Sequence, residues 1–179
     1  MKRSILTVAA MLLLTGCGDL PFVQGLANPE NTVFDPALVG AWSYDDAVVI
    51  VQKADEHSYA ISWLATNSTD TPEVVRMEGR LFKLGEQRVL DLTASEPGAF
   101  AIACHVFLRV RPDKDNLKVQ FIDSKWIREQ VKTSGLASFV LDMHPVLTAP
   151  ASQVEAFLKK FGFDERALDD PIVMRPMKR

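Results

Sequence analysis

The chain has 179 residues, 47% of them hydrophobic, with 20 Lys and Arg against 23 Asp and Glu. That length fills one domain with a substantial core and is short for two. A net charge of −3 excludes the basic footprint of a nucleic-acid binder and leaves no cationic patch to hold anionic lipid.

The first elements in chain order are an address and an anchor. Lys2 and Arg3 give a basic start, Ile5 to Leu14 is almost wholly apolar, and Leu14-Thr15-Gly16-Cys17 closes the run with small residues. A basic n-region, a short h-region and a small-residue cut site make a secretory signal peptide over residues 1–16. A bilayer-spanning helix needs about 20 apolar residues, so this run is too short for a span. Leu-Thr-Gly-Cys resembles the lipobox of bacterial lipoproteins. The resemblance implies a diacylglyceryl group on the Cys17 sulfur, cleavage before Cys17, and two or three acyl chains on the new terminus. One acyl chain holds only marginally at about 0.8 kcal/mol per methylene, whereas several anchor permanently. Removing residues 1–16 from 179 leaves 163, and the loss of Lys2 and Arg3 takes the net charge from −3 to −5. With Cys17 lipidated, Cys104 has no disulfide partner and is expected as a buried thiol. Without lipidation, a Cys17–Cys104 disulfide is the alternative.

Residues 17–36 read as the lipidated Cys and a flexible tether. Pro21, Pro29 and Pro36, with Gly18 and Gly25, prevent a long helix. Phe22, Val23 and Leu26 either pack locally or lie on the membrane. Residues 37–179 read as a single β-barrel-like domain. Strands are expected at Leu38–Tyr44, Ala47–Lys53, Tyr59–Ala65, Glu73–Leu84, Gln87–Ala94, Phe100–Arg111 and Leu117–Ile122, separated by short polar turns. Val48 to Val51 is the strongest β-branched run, and Tyr59, Ile61 and Trp63 share one face. Gly79 reads as a bulge. Phe100–Arg111 is apolar on one face, while its other face, with Ala101, Ala103, His105 and Phe107, turns charged only at Arg109 and Arg111. An eighth strand is expected at Phe139–Met143. The fold class is therefore mainly β with C-terminal helices, an antiparallel meander closing into a small barrel.

Two helices interrupt the last third. Ser124–Thr133, capped by Asp123 or Ser124, carries Trp126, Ile127 and Val131 on its apolar side. Ser152-Gln153-Val154-Glu155 reads as a capping box. Behind it Val154, Phe157, Leu158 and Phe161 form one stripe, with Lys159 and Lys160 in the last turn and Gly162 past the end. A helical turn at Asp164–Asp169 and an extended tail Ile172–Arg175 follow.

Candidate chemistry is sparse. The sequence has no G-x-S-x-G, P-loop or G-x-G-x-x-G. His57, His105 and His144 lack metal-ligand spacing, so no metal and no cofactor is expected. Cys104 and His105 adjoin on a strand and so face opposite ways, which rules against a thiolate–imidazole dyad. Asp45-Asp46 and the Asp113, Asp115 pair read as turn formers, the latter lacking the pattern of a calcium loop.

Gly40-Ala41-Trp42 resembles the G-x-W motif that opens lipocalins, in which the Trp packs across one end of an eight-stranded barrel. The meander, and a helix followed by an extended tail, fit that resemblance. A second lipocalin motif has no counterpart here, and the helix at Ser124–Thr133 departs from the pattern. Leu38–Trp42, Cys104–Leu108 and Leu147–Phe161 are similar to a group of uncharacterised bacterial lipoproteins, which implies no activity. The expectation is a non-catalytic, lipid-anchored envelope protein that binds a small hydrophobic ligand or an envelope protein. An accessory subunit of an envelope assembly is the alternative, and an unrecognised envelope hydrolase comes below both. Gly18 stands where inner-membrane lipoproteins of enterobacteria carry Asp, so the outer membrane, facing the periplasm, is the expected address.

Overall fold

A computed structural model of the chain describes residues 21–45, 47–65, 73–95, 103–141 and 144–177. Cys17 and the leader before it lie outside the described residues, as do Asp46 and most of Phe100–Ala103. The strands are β1 (Gly40–Tyr44), β2 (Ala47–Lys53), β3 (Tyr59–Ala65), β4 (Glu73–Leu84), β5 (Gln87–Ala94), β6 (His105–Asp113) and β7 (Asn116–Phe121). Helix α1 (Ser124–Ser134) follows, then β8 (Ser138–Leu141), β9 (His144–Leu147), helix α2 (Ala151–Phe157) and β10 (Ile172–Pro176).

Eight strands close a barrel in the order β1-β10-β7-β6-β5-β4-β3-β2, every pair antiparallel. The mainly β, closed antiparallel barrel is thus the fold read from the alternation. The eighth strand is not the one expected. Ser138–Leu141 pairs with His144–Leu147 in a separate hairpin, and the tail strand β10 closes the barrel instead. Its Met174 is buried against the interior cluster, whereas Val140 of the hairpin is 71% exposed. Alternation alone does not separate a barrel wall from a free hairpin, because both need the same period.

The interior is filled by the inward side chains Trp42, Val49, Val51, Tyr59, Ile61, Leu81, Leu108, Val110 and Val119. Gly79 is not a bulge. Its pairing with Tyr59 and with Leu92 runs in unbroken register, and a Cβ there would meet Ile61 Cδ1 at 2.7 Å. The residue is small because the interior is crowded, not because the ladder is broken. One barrel end is plugged by a 3₁₀ turn at Pro36–Leu38, with Leu38 and Phe34 packed into the interior cluster. Phe34 stacks on Tyr59 at 5.1 Å, the Asp35 amide donates to the Tyr59 hydroxyl at 2.7 Å, and Trp42 Nε1 donates to Leu38 O at 3.0 Å. Burial raises the Asp35 carboxyl, but hydrogen bonds from Arg88 and the Ala37 amide outweigh it and leave the group below its ordinary value.

A second core lies outside the wall, where Phe82, Val89 and Phe107 meet Ile127, Val131, Val154 and Leu158 of the helical layer. Both faces of β6 are therefore covered, which explains why its outer face stays apolar until Arg109. The strand begins at His105, five residues later than expected, and Cys104 precedes it. In α2 the stripe holds, with Val154 and Leu158 fully buried and Phe157 nearly so. The capping box does not form. Pro150 stands at the N-cap without a side-chain bond, its carbonyl accepting from the Gln153 and Val154 amides at 2.9 and 3.1 Å. The helix widens to the π form over Leu158–Gly162, so Gly162 is its last residue rather than the one beyond it.

Residues 21–36 are not a free tether. Phe22 is 1% exposed and packs on Phe107 at 4.7 Å between ring centroids. The segment pairs antiparallel with His105 and parallel with Leu147, then crosses the barrel to bridge Thr32 to Phe82. Prolines forbid a helix here but leave an extended strap free to dock, and Phe22 and Leu26 supply its apolar contacts. The docked body therefore includes residues 21–36.

Truncating the interior should be far more costly than truncating the surface. Leu81→Ala is expected to lose about 2–5 kcal/mol in urea denaturation, and Val74→Ala, on the same strand but 42% exposed, less than about 0.5 kcal/mol. Equal losses would contradict the assignment of the filled interior.

Candidate functional site

Inward side chains recur at every second position along a strand, so burial read along each strand maps the barrel axis. Midway along the barrel the inward positions are buried, and at the plugged end the same register ends on the exposed Lys53, Lys83, Pro112 and Pro176. Toward the other end the inward positions Tyr44, Ala47, Trp63, Val75, Met77, Leu92, Val106, Phe121 and Ile172 are partly exposed. The two ends thus differ in chemistry: charged residues and prolines at the plugged end, a largely apolar ring, or mouth, above the packed middle at the other. The connections 66–72 and 96–102, which leave the barrel at this end, lie outside the described residues. Alternation gave no sign of this difference between the ends, because depth along a barrel leaves no trace in a period of two.

The outer wall carries a buried polar clamp that sequence reading missed. Asp91 on β5 and His105 on β6 project outward beneath the strap. The carboxylate only accepts, so His105 Nδ1 donates to Asp91 Oδ1 at 2.6 Å, while Asp91 Oδ2 accepts from the Leu26 and Ala27 amides at 3.1 and 3.3 Å. A Cβ on Gly25 would meet His105 Cε1 at 2.6 Å, so only glycine lets the strap lie this close. The carboxylate is 5% exposed; Oδ2 holds the strap while Oδ1 is engaged by His105. Cys104, next in the chain, has its thiol pushed up by burial, which is the opposite of an activated nucleophile.

A second polar group fastens the turn leading into β10. Arg109, 2% exposed on the outer face of β6, donates to Gln120 Oε1 at 3.1 and 2.6 Å and to both Glu165 oxygens at 2.8 and 3.0 Å. Gln120 in turn donates to Asp169 O at 3.0 Å. Arg109 draws the Glu165 carboxyl below its ordinary value of 4.5, whereas burial and the neighbouring Asp123 raise Asp169. An open cleft of ≈ 380 Å³ lies at the plugged end, lined by residues including Thr32, Asp55, His57 and Arg80.

The remaining sequence candidates stay apart. His57 sits on the β2–β3 turn, His105 in the clamp and His144 at the start of β9. Among the described residues no group of three or more His, Cys, Asp or Glu is placed to hold a metal. Asp45 occupies a turn at φ 46°, and Asp113 pairs with Lys118 at 2.6 Å, which lowers its carboxyl. No helix among the described residues is long and apolar enough to cross a membrane.

No family model, curated protein or solved structure matches the chain.

Asp91→Ala should leave the Leu26 amide buried without an acceptor, at a cost of about 1–3 kcal/mol. Faster hydrogen exchange at Leu26 and Ala27, with the barrel strands still protected, is the expected signature. Glu165 titrates the other way round from a raised group. Its lowered native value means the bond to Arg109 favours the fold above 4.5 and is lost as pH falls through that lowered value. The stability gap between wild type and Glu165→Gln, measured by urea titration, should be present at neutral pH and close in acid. A gap that persists unchanged in acid would contradict the pair's contribution.

Proposed function

We propose that the protein is a non-catalytic, lipid-anchored cell-envelope barrel, held by acyl chains on Cys17 and receiving a small hydrophobic group at its apolar mouth. The observation that carries this reading is the ring of partly exposed apolar side chains at the barrel end away from the plug. A side chain such as Leu92 or Val106 loses stabilisation while water touches it, at about 25 cal/mol per Å². A ring of such side chains is favourable when something apolar covers it. Eight strands enclose room for one small ligand at most, and Trp42, Tyr59 and Leu81 already occupy the lower part. The ligand is accordingly short, with its apolar end seated between Trp63, Met77 and Phe121.

The non-catalytic part of the reading is supported by what the polar groups are occupied with. Asp91 and His105 hold the strap, Arg109 and Glu165 hold the turn before β10, and Cys104 keeps its proton. The outer membrane, periplasmic face, is the address favoured by Gly18 after Cys17.

Titration with the neutral dye N-phenyl-1-naphthylamine tests the mouth. Saturable fluorescence enhancement near one dye per protein is expected, weakened at least tenfold by Leu92→Arg or Val106→Arg with the circular dichroism unchanged. Binding unaffected by both substitutions, or no saturable binding, would overturn the mouth as a ligand site. Intact-mass analysis of the membrane-extracted protein tests the anchor separately, with cleavage before Cys17 and added acyl mass as the expected result.

A further inference from the structure

The strap and the β8–β9 hairpin together give the protein a second feature that the barrel does not require. Phe22 joins the hairpin in parallel, the Val23 amide donating to Leu147 O at 2.9 Å and the Leu147 amide to Pro21 O at 3.0 Å. In a parallel pair both chains step the same way. Moving back from Phe22 to Pro21 therefore moves in the direction from Leu147 toward His144, which is toward the hairpin tip. Cys17 is four residues before Pro21, a reach of at most about 14 Å for a fully extended chain.

The far strand of that hairpin carries Phe139 and Val140, 39% and 71% exposed. Consecutive strand residues point to opposite faces, so Phe139 lies at the edge of the face of its buried partner Val146, and Val140 is open on the other face. The other exposed large hydrophobics, Val39, Val74, Val173 and Met177, are not neighbours in the chain. The base of the hairpin is closed by the Thr148 amide donating to Ala137 O at 3.0 Å, and the strap bonds it at Leu147.

We infer that the β8–β9 hairpin is a second membrane contact, Phe139 and Val140 entering the lipid headgroup and acyl boundary beside the acyl chains of Cys17. This rests on the lipid anchor proposed above. The occupant is lipid because the leash brings the hairpin to lipid: about 14 Å of chain leaves a docked body no freedom to stand far from the bilayer. The chain also leaves Pro21 on the side where the exposed pair lies.

The test uses the full chain, expressed with its leader, extracted from membranes and returned to vesicles of phosphatidylethanolamine and phosphatidylglycerol. A nitroxide is attached at Val140→Cys, with Cys104→Ser to keep the label single. The control is Gln52→Cys, exposed on β2, which lies four strands from β6 in either direction around the barrel. The expected result is a several-fold drop in collisions with an aqueous nickel chelate at 140, a rise in collisions with oxygen there, and no change at 52. An acylated mass with position 140 as open to nickel as position 52 overturns this inference and leaves the anchor standing. A mass without acyl groups overturns the anchor and the inference with it. Shielding at 140 before vesicles are added means that another protein copy covers the hairpin, and overturns the lipid assignment. Thermal melts matching wild type establish that the labelled chains are folded.

Discussion

Closure of the barrel by β10 is the constraint on which the remaining geometry depends. The strand reaches its place only after the chain has left the barrel for two helices and a hairpin, and its ladder is short. Trp42 and Ser43 pair with Pro176 and Arg175 on one side, and Val119, Lys118 and Leu117 with Ile172, Val173 and Met174 on the other. So few pairs need help in finding their register. It comes from the turn at Glu165–Ala167, which is gripped before the strand begins. Arg109 holds Glu165, the Asp123 amide donates to Ala167 O at 2.8 Å, and the Asp169 amide donates to Phe121 O at 3.1 Å. The chain is thus delivered to the edge of β7 already aligned. A guanidinium this buried would be costly if left unpaired; here Glu165 and the Gln120 amide oxygen share it.

Once the sheet is closed, inside and outside compete for the same apolar residues, and β4 to β6 serve both. Leu81, Leu90 and Leu108 face the interior, while Phe82, Val89 and Phe107 face the helical layer. A wall apolar on both faces would expose a large sticky patch if its cover detached. The cover is correspondingly held by more than contact. Phe22 is stitched into the backbone on two sides, and Asp91 binds the next stretch through two amides. The polar clamp lies under the strap because a carboxylate there orients it, whereas another leucine would only add to its adhesion.

These features differ in how far the sequence displays them. Tyr59, Ile61 and Trp63 alternate cleanly, and so the strands of the meander, six of them nearly to the residue, and the barrel they form are legible. The stripe Val154, Phe157, Leu158, Phe161 is legible for the same reason, although its start was misassigned to a capping box that Pro150 pre-empts. The outer face of Phe100–Arg111 carried the second core in plain view as an apolar run where polar residues belong. What covers that run was illegible, because Phe22 and Leu26 sit among prolines in a stretch whose local pattern says only that it is not a helix. Asp91 escaped for a related reason. A buried carboxylate is recognised by the backbone amides it meets, and those are 64 and 65 residues away in the chain. The hairpin and β10 exchanged roles because Phe139–Met143 and Ile172–Arg175 are equally good short strands, and only the delivery of the chain by the Glu165 turn decides between them.

The docked strap changes what an N-terminal anchor would do. A flexible linker of twenty residues would let the barrel tumble with a root-mean-square reach of about 25 Å, and every face would meet the bilayer in turn. Docking from Pro21 leaves three residues between Cys17 and a segment hydrogen-bonded to both β6 and β9, so an anchor at Cys17 would restrict rotation of the body about it. Orientation would then be set by where the strap leaves the fold rather than by net charge, which is −3. Asp91 gains a further meaning in that setting. Its two amide bonds hold the strap immediately downstream of the Phe22 bridge, so force on such a leash would pass to the barrel wall through a short backbone pairing and one buried carboxylate. Loosening that carboxylate would lengthen the leash toward its full reach and free the body to turn, with the barrel itself intact.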